Sequence, residues 1–289
     1  MTLSELFLRT RKSFLDREDP ETANLLARNL VCHVTGLTHQ QLITEKDIPV
    51  SPETSGAVDK LVFRILADEP LAYVLGQWEF YGLTLTVTPD VLIPRDDTCA
   101  VAELAINQAV QLGKKPRVLD LCTGSGCIGL AIASRVDDAR VTLADISREA
   151  LLVAKKNVTD LRLSARVSCV QVDALKKARP FLGKFDLIVS NPPYITTEEM
   201  EQLPASVADY EPHLALHGGK DGLKFYRSII ENFRSALKPG GYLCFEFGMG
   251  QGGAVCNLLK ENGFTILERS RDYNDRERAV LARYDREEA

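Results

Sequence analysis

The sequence predicts an α/β protein: a small helical bundle, then a mostly parallel sheet covered by helices on both faces. Three observations carry that prediction. From about residue 117 onward, short apolar runs alternate with amphipathic stretches, the pattern of a parallel sheet. The first 75 residues show helical periodicity alone. Between them, Leu83-Thr84-Leu85-Thr86-Val87-Thr88 alternates at period two, as a half-buried strand does.

In the bundle, Leu3, Leu6, Phe7, Phe14 and Leu15 fall near helical spacing. Asp19-Pro20-Glu21 places a cap, a proline and an acid at a helix start. That helix carries Leu25, Leu26, Leu30 and Val31 and stops near Gly36. Thr38 and Gln41 have the spacing of a capping box for a short third helix. A fourth presents Val58, Leu61, Val62, Ile65 and Leu66 on one stripe and ends before Pro70. A β-hairpin is expected next, with Trp78-Glu79-Phe80-Tyr81 before the alternating strand and Val91-Leu92-Ile93 after Pro89-Asp90. Asp97 or Thr98 should cap a helix through Val101, Leu104 and Leu112. Strands are then expected at 117–121, 140–145, 167–172, 185–190, 241–247, 264–269 and 278–284, with helices including 147–158, 221–237 and 251–261. Too few residues join the last two strands for a crossover, so the final one should be antiparallel.

The composition narrows the function classes. Apolar residues are 45% and charged residues 26%, the balance of a soluble globular protein. No apolar run approaches the ~20 residues of a membrane span, and Met1-Thr2-Leu3-Ser4-Glu5 does not resemble a signal peptide. Seven scattered cysteines, an odd number, suit free thiols in a reducing cytoplasm. No His/Cys spacing completes a metal site. A net charge of −5 argues against a nucleic-acid partner without excluding a local basic patch.

Two motifs carry chemistry. The first is the loop Cys122-Thr123-Gly124-Ser125-Gly126, between the strand ending in Asp120-Leu121 and a helix through Leu130 and Ile132. Glycines let a ligand approach the backbone, and the helix start offers free N–H groups. Gly124 to Gly129 satisfies GxGxxG, and Asp145 at the next strand end suits a ribose diol. A nucleoside cofactor follows, either a dinucleotide or S-adenosylmethionine. Asp120 would repel a pyrophosphate but suits the ammonium of a methionine moiety, directly or through water. Asp173, with Ala174 beside it, could accept from an adenine amino group. Carboxylates at three strand ends therefore favour the cationic S-adenosylmethionine.

The second motif is Asn191-Pro192-Pro193-Tyr194, directly after the apolar run 185–189. Ligands bind outside the carboxyl ends of strands in open α/β sheets. The prolines donate no hydrogen bond and fix φ near −65°. The turn therefore offers carbonyl acceptors and the Asn191 amide to a planar group bearing two N–H donors. Asn191 would also border the cofactor.

These residues resemble the bacterial N5-glutamine methyltransferases of class I peptide-chain release factors. The likeness runs from about 75 to 289 through Gly76-Gln77-Trp78-Glu79-Phe80-Tyr81-Gly82, Val91-Leu92-Ile93-Pro94-Arg95, Val118 to Gly126, Ala144-Asp145-Ile146-Ser147, Asn191 to Tyr194 and Glu211 to Leu223. Two stretches depart from the family: Asp96-Asp97-Thr98-Cys99 replaces Pro-Glu-Thr-Glu, and Asn274-Asp275 replaces a glycine turn that Asn and Asp can still make. The resemblance implies an α/β, Rossmann-like seven-stranded methyltransferase domain at 96–289. It also implies a linking β-hairpin at 76–95 and an N-terminal helical bundle at 1–75 that docks the substrate protein. It further implies transfer of a methyl group from S-adenosylmethionine to the glutamine of a Gly-Gly-Gln tripeptide, leaving S-adenosylhomocysteine, by a cytoplasmic monomer. Asn191, Pro192, Pro193 and Tyr194 would form the catalytic and substrate site, joined by Arg95 and Glu211.

On this reading the Asn191 oxygen and Pro192 carbonyl accept the two N–H groups of the substrate amide, and Tyr194 packs on its plane. Glu246, an acid in an apolar strand, needs a partner or lies near the site, and His213 and His217 are expected at the surface or in packing. Rival readings are a ribosomal-protein glutamine methyltransferase, an N-methyltransferase of an exocyclic amino group in DNA or rRNA, an NAD(P)-dependent oxidoreductase, and a non-catalytic adaptor.

Overall fold

Local capping sets most of the N-terminal helices. The structure, a computed structural model, describes residues 1–285; the last four residues of the 96–289 span lie outside it. Thr2 and Glu5 close a capping box on α1 (Leu3–Lys12). Asp19 accepts from the amides of Glu21 and Thr22 to start α2 (Pro20–Thr35), which ends at left-handed Gly36. Thr38 and Gln41 form the expected box on α3 (His39–Thr44). Ser51 caps α4 (Pro52–Leu66), and a fifth helix not expected from the sequence, α5 (Leu71–Leu75), follows Pro70. Leu6, Leu30, Val31 and Val58 fill the core of this unit. It comprises Met1–Gly76 with Ala205–Tyr210, and the Tyr210 hydroxyl donates to the Ala67 carbonyl.

The second unit takes Gln77–Pro204 and the chain from Glu211. It begins with the antiparallel pair β1 (Gln77–Phe80) and β2 (Leu83–Thr86). Tyr81 (φ 51°) and Gly82 (φ 77°) turn it with two left-handed residues, the geometry that matches strand twist. Val91-Leu92-Ile93 is not a strand, contrary to expectation. Pro89 and Pro94 bracket it, and its buried Val91 and Ile93 pack as irregular chain.

The remaining elements, in order, are α6 (Cys99–Gln111), β3 (Arg117–Leu121), α7 (Cys127–Arg135), β4 (Arg140–Asp145), α8 (Arg148–Asp160), β5 (Val167–Gln171), β6 (Phe185–Ser190), α9 (Thr197–Met200), α10 (Ala205–Ala208, in the first unit), α11 (Lys224–Phe233), β7 (Leu237–Glu246), α12 (Gly252–Glu261), β8 (Phe264–Arg271) and β9 (Glu277–Tyr284). The seven-stranded sheet runs β5-β4-β3-β6-β7-β9-β8, parallel except for antiparallel β9. Period-two alternation sends Val118, Leu187 and Val189 to one face and Leu119, Leu121 and Ile188 to the other. Each face is sealed by helices, α6 and α7 on the first and α11 and α12 on the second. β7 starts four residues earlier than expected, because Lys238-Pro239-Gly240-Gly241 is taken into the strand as an irregularity opposite β6. Its left-handed Gly240 reads as a turn in sequence. The expected 221–237 helix is shorter, giving way to a 3-10 turn at Arg234.

Strand order reverses between β3 and β6, so the chain leaves the sheet centre in opposite directions there. Such a switch point opens a crevice at the carboxyl ends of the two strands. Both motifs singled out in the sequence sit at that place.

Candidate active site

The glycine loop is shaped by buried acids. Thr123 Oγ1 donates to Asp120 Oδ2 (2.5 Å) and the Gly129 amide donates to the same oxygen (2.9 Å). The Gly124 amide donates to Asp145 Oδ2 (2.9 Å) and the Ser147 amide to Asp145 Oδ1 (3.0 Å). Gly124 (φ 53°) and Gly126 (φ 85°) supply the left-handed steps. Gly129 lets α7 approach the sheet: a Cβ there would lie 2.3 Å from Leu143 Cδ2. Cys122 takes φ 61° despite its side chain, and burial pushes its thiol far up, so it is no nucleophile. Asn157 spans the Thr86 backbone and the Ser125 carbonyl (2.9 Å), tying hairpin to loop.

A cavity opens beyond the loop. Of the expected cofactor residues, Cys122, Thr123, Gly124, Ser125, Asp145, Asp173, Ala174 and Asn191 line it. Gly126 and Asp120 do not. Asp120 is 1% exposed and holds the loop from behind, so it offers no direct contact with an ammonium. Its Oδ1 meets no protein donor, and burial pushes its carboxyl up to about 7. Burial also raises Asp145. Burial raises Asp173 too, but bonds from the Leu175 amide and Lys176 outweigh it and keep that group an anion. Two carboxylates on the wall and a third behind it fit a cationic nucleoside better than a pyrophosphate. Ile146 and Ser147, part of the stretch that resembles the family's cofactor site, also line it, and residues on the wall that the sequence does not single out as site residues include Thr98 and Phe225. Of these, Thr98 carried a signal, a hydroxyl at a helix start, but one that reads as a cap.

The Asn-Pro-Pro-Tyr turn closes the other side, with Asn191 and Pro193 on the wall. The Asn191 Nδ2 donates to Thr98 Oγ1 (3.3 Å), and the carboxylate of Glu246 lies within hydrogen-bonding reach of both side chains. Thr98 therefore does not cap α6, nor does Asp97, which pairs with Arg278 (2.7 Å). The donor side of the Asn191 carboxamide is thus engaged. Pro192 is buried, and the Tyr194 ring packs beside Gly248 and off the cavity wall. Behind the turn, the Ile195 amide donates to Leu216 (2.9 Å), Gly218 donates to Ile195 (2.8 Å), and Gln251 Nε2 donates to the Tyr194 carbonyl (2.9 Å). This clamp fixes the turn from its far side.

Arg95 and Glu211, expected to meet substrate, pair with each other instead. Glu211 is 3% exposed, also accepts from the Ile93 amide, and neither residue lines the cavity. His217 bonds Thr197 Oγ1 (3.0 Å) at the surface. The Asn274-Asp275 turn survives without glycine: Asp275 is left-handed (φ 60°), and Asp272 accepts from the amides of Asn274 and Arg276.

Comparison with known proteins agrees with this geometry. Residues 7–76 match the PrmC N-terminal domain, and residues 101–208 match the methyltransferase small domain. Relatives named release factor glutamine methyltransferase include one from Geobacter sulfurreducens, 39% identical over 94% of this chain and 93% of its own. Another, from Bordetella pertussis, is 41% identical over 88% and 92%, and a third, from Clostridium acetobutylicum, is 43% identical over 74% of each. Among solved structures, the hMettl16 catalytic domain bound to an RNA hairpin superposes with a TM-score of 0.57 at 16% identity, covering 72% of this chain and 78% of its own. A methyltransferase from Pyrococcus furiosus gives 0.50 at 16%, covering 78% and 98%. These two share the fold. The relatives' identity along most of the sequence shows more: the chain belongs to the release factor glutamine methyltransferase family.

Proposed function

We propose that the chain transfers a methyl group from S-adenosylmethionine to the side-chain amide nitrogen, N5, of the glutamine in the Gly-Gly-Gln tripeptide of class I peptide-chain release factors. The family membership supports the reaction, and the acids at the glycine loop support the cofactor. Asp145, Asp173 and the backbone of Cys122 to Ser125 would hold its nucleoside, with Asp120 bracing the loop from behind through Thr123 and Gly129. When bound, S-adenosylmethionine supplies an electrophilic methyl on a sulfonium.

The chain's own task is to orient a weak nucleophile. An amide lone pair is delocalised into its carbonyl, so nothing is gained without alignment and charge stabilisation. The Asn191 oxygen accepts one N–H of the substrate amide and the Pro192 carbonyl the other. Both stabilise positive charge growing on nitrogen, the oxyanion-hole principle with its sign reversed. Tyr194 and Pro193 shape the turn. One observation supports this reading: Asn191 lines the cavity with its Nδ2 given to Thr98, so that its oxygen is the end that would accept from a substrate. The helical unit, with Ile43 and Phe63 each 74% exposed, supplies a second contact with the release factor. The family resemblance further supports a monomer working in the cytoplasm, a compartment where free thiols such as the seven described cysteines persist.

Mass spectrometry of release factor incubated with enzyme and isotopically labelled cofactor tests the proposal. One added methyl on the tripeptide glutamine is expected. Asn191→Ala should lower turnover by about 10²-fold or more while cofactor binding persists. Wild-type turnover in that variant refutes the assignment.

A further inference from the structure

Glu246 ends β7, one strand over from Asn191. It is 1% exposed, and its Oε2 meets no donor. A carboxylate so enclosed is costly unless something is gained by keeping it. Buried hydrophobic residues flank it, Leu243-Cys244-Phe245 before it and Phe247 after it. The nearby guanidinium of Arg278 is already committed, Nη2 to Asp97 (2.7 Å) and Nε to Asp272 (2.9 Å). What remains beside the acid is Thr98, 2% exposed, and the Asn191 carboxamide. The start of α6, the end of β6 and the end of β7 thus bring three polar side chains together at the inner edge of the cavity.

With Glu246 ionised, the contact between Asn191 and Thr98 shows how the protons of this trio are shared. An ionised carboxylate only accepts. Thr98 has a single hydroxyl proton, and given to Glu246 it leaves Oγ1 as an acceptor. Asn191 must then present its NH2 to Thr98, as the 3.3 Å contact records. A protonated Glu246 reverses the constraint. It can donate, and the carboxamide can turn end for end with no change of shape, which would point N–H groups at the donors of a substrate amide.

We propose that Glu246 is a positioning residue for methyl transfer: acting through Thr98, it fixes which end of the Asn191 carboxamide faces the cavity. The inference rests on the reading of Asn191 as the substrate's acceptor. The other charged or titratable groups facing Glu246 are Asp97, Arg278, Cys99, Cys127, Tyr194 and Tyr226. Burial raises these thiols and phenols, so they stay neutral through the physiological range. Burial also pushes Glu246 up to about 7, so its control over Asn191 fades as pH falls through that value.

The test uses the full chain with saturating cofactor and varied release factor. Glu246→Gln keeps the shape and should lower kcat by about tenfold or more, with KM and the calorimetric cofactor Kd changed by less than about twofold. Wild-type kcat should fall on the acid side with a midpoint about 7, a limb that the variant lacks. Thr98→Val should share the kcat loss, and Thr98→Ser should restore it. If Glu246→Gln does not fold, as read from a lost cooperative melt, the Thr98 pair decides alone. A Glu246→Gln enzyme with wild-type kcat and an unchanged acid limb overturns the inference, as does a Thr98→Ser enzyme no better than Thr98→Val. An Asn191→Ala enzyme of undiminished turnover would instead overturn the acceptor assignment on which it rests.

Discussion

Gly218→Ala perturbs the Asn-Pro-Pro-Tyr turn without touching it chemically. A Cβ on Gly218 would lie 2.6 Å from Tyr194 Cα, 2.7 Å from the Pro193 oxygen and 2.8 Å from the Tyr194 carbonyl carbon. All three are backbone atoms, so no side chain can swing aside. Opening the nearest contact from 2.6 Å to an ordinary 3.4 Å needs a shift of about 0.8 Å. The diproline segment cannot absorb that locally, because both φ angles are fixed and Gln251 holds the Tyr194 carbonyl. Misplacement by about 1 Å can cost 10²-fold in rate, so kcat should drop by about ten- to a hundredfold. Overpacking of this kind costs about 1–3 kcal/mol of stability, a loss of several degrees in melting temperature. The glycine loop lies outside the clash, so cofactor affinity should hold. Methyl transfer to release factor, calorimetric cofactor titration and a thermal melt measure the three quantities. Gly253→Ala is the control: it is exposed, opens on free space and lies in α12, where alanine is favoured by about 1 kcal/mol. A Gly218→Ala enzyme with wild-type kcat would refute the idea that the 216–219 clamp sets the position of the turn.

Two further outcomes follow from buried charge. Burial raises the Asp120 carboxyl to about 7 from an unfolded value near 3.8, so between about pH 4 and 7 the folded state binds more protons than the unfolded state. Stability of the cofactor-free protein should therefore fall as pH rises through that window, and Asp120→Asn should flatten part of the slope in melts at stepped pH; an unchanged slope would remove Asp120 as its source. Arg95→Ala should destabilise by about 2 kcal/mol in urea titration, since it strands the enclosed Glu211 carboxylate, a figure discounted for the exposure of the arginine. An unaltered midpoint would mean that the pair contributes nothing.

Local signals were legible in the sequence, and side-chain meetings across long separations were not. Asp19 and the Thr38–Gln41 box act on amides two or three residues away, and they fold as read. The strands of the sheet announce themselves by apolar runs, and the antiparallel last strand by its short connection. β7 was misjudged at its start because Pro239-Gly240-Gly241 carries turn chemistry that a bulge overrides. The errors at the site share a cause. Arg95 and Glu211 are 116 residues apart, and Asn191 and Thr98 are 93 apart, so nothing local reveals that one pair satisfies itself and that a would-be cap serves an amide. Glu246 was conspicuous as an acid among apolar residues, but only its neighbours in space say what it is for.

The antiparallel placement of β9 bears on the order in which the molecule can be made. β9 lies between β7 and β8, and it brings Arg278 to the carboxyl end of the sheet, where that residue anchors Asp97 and passes its backbone carbonyl to the Phe247 amide. A ribosome adding about 5–20 residues per second delivers the glycine loop and the diproline turn well before this strand. Until it emerges, β7 is an open edge with buried-type side chains on both faces, and β8 has no partner in the sheet. The last of these strands to be synthesised therefore completes the middle of the sheet's far half, and a nascent chain halted before Arg278 would hold the whole Asn-Pro-Pro-Tyr turn without the tether that fixes Asp97.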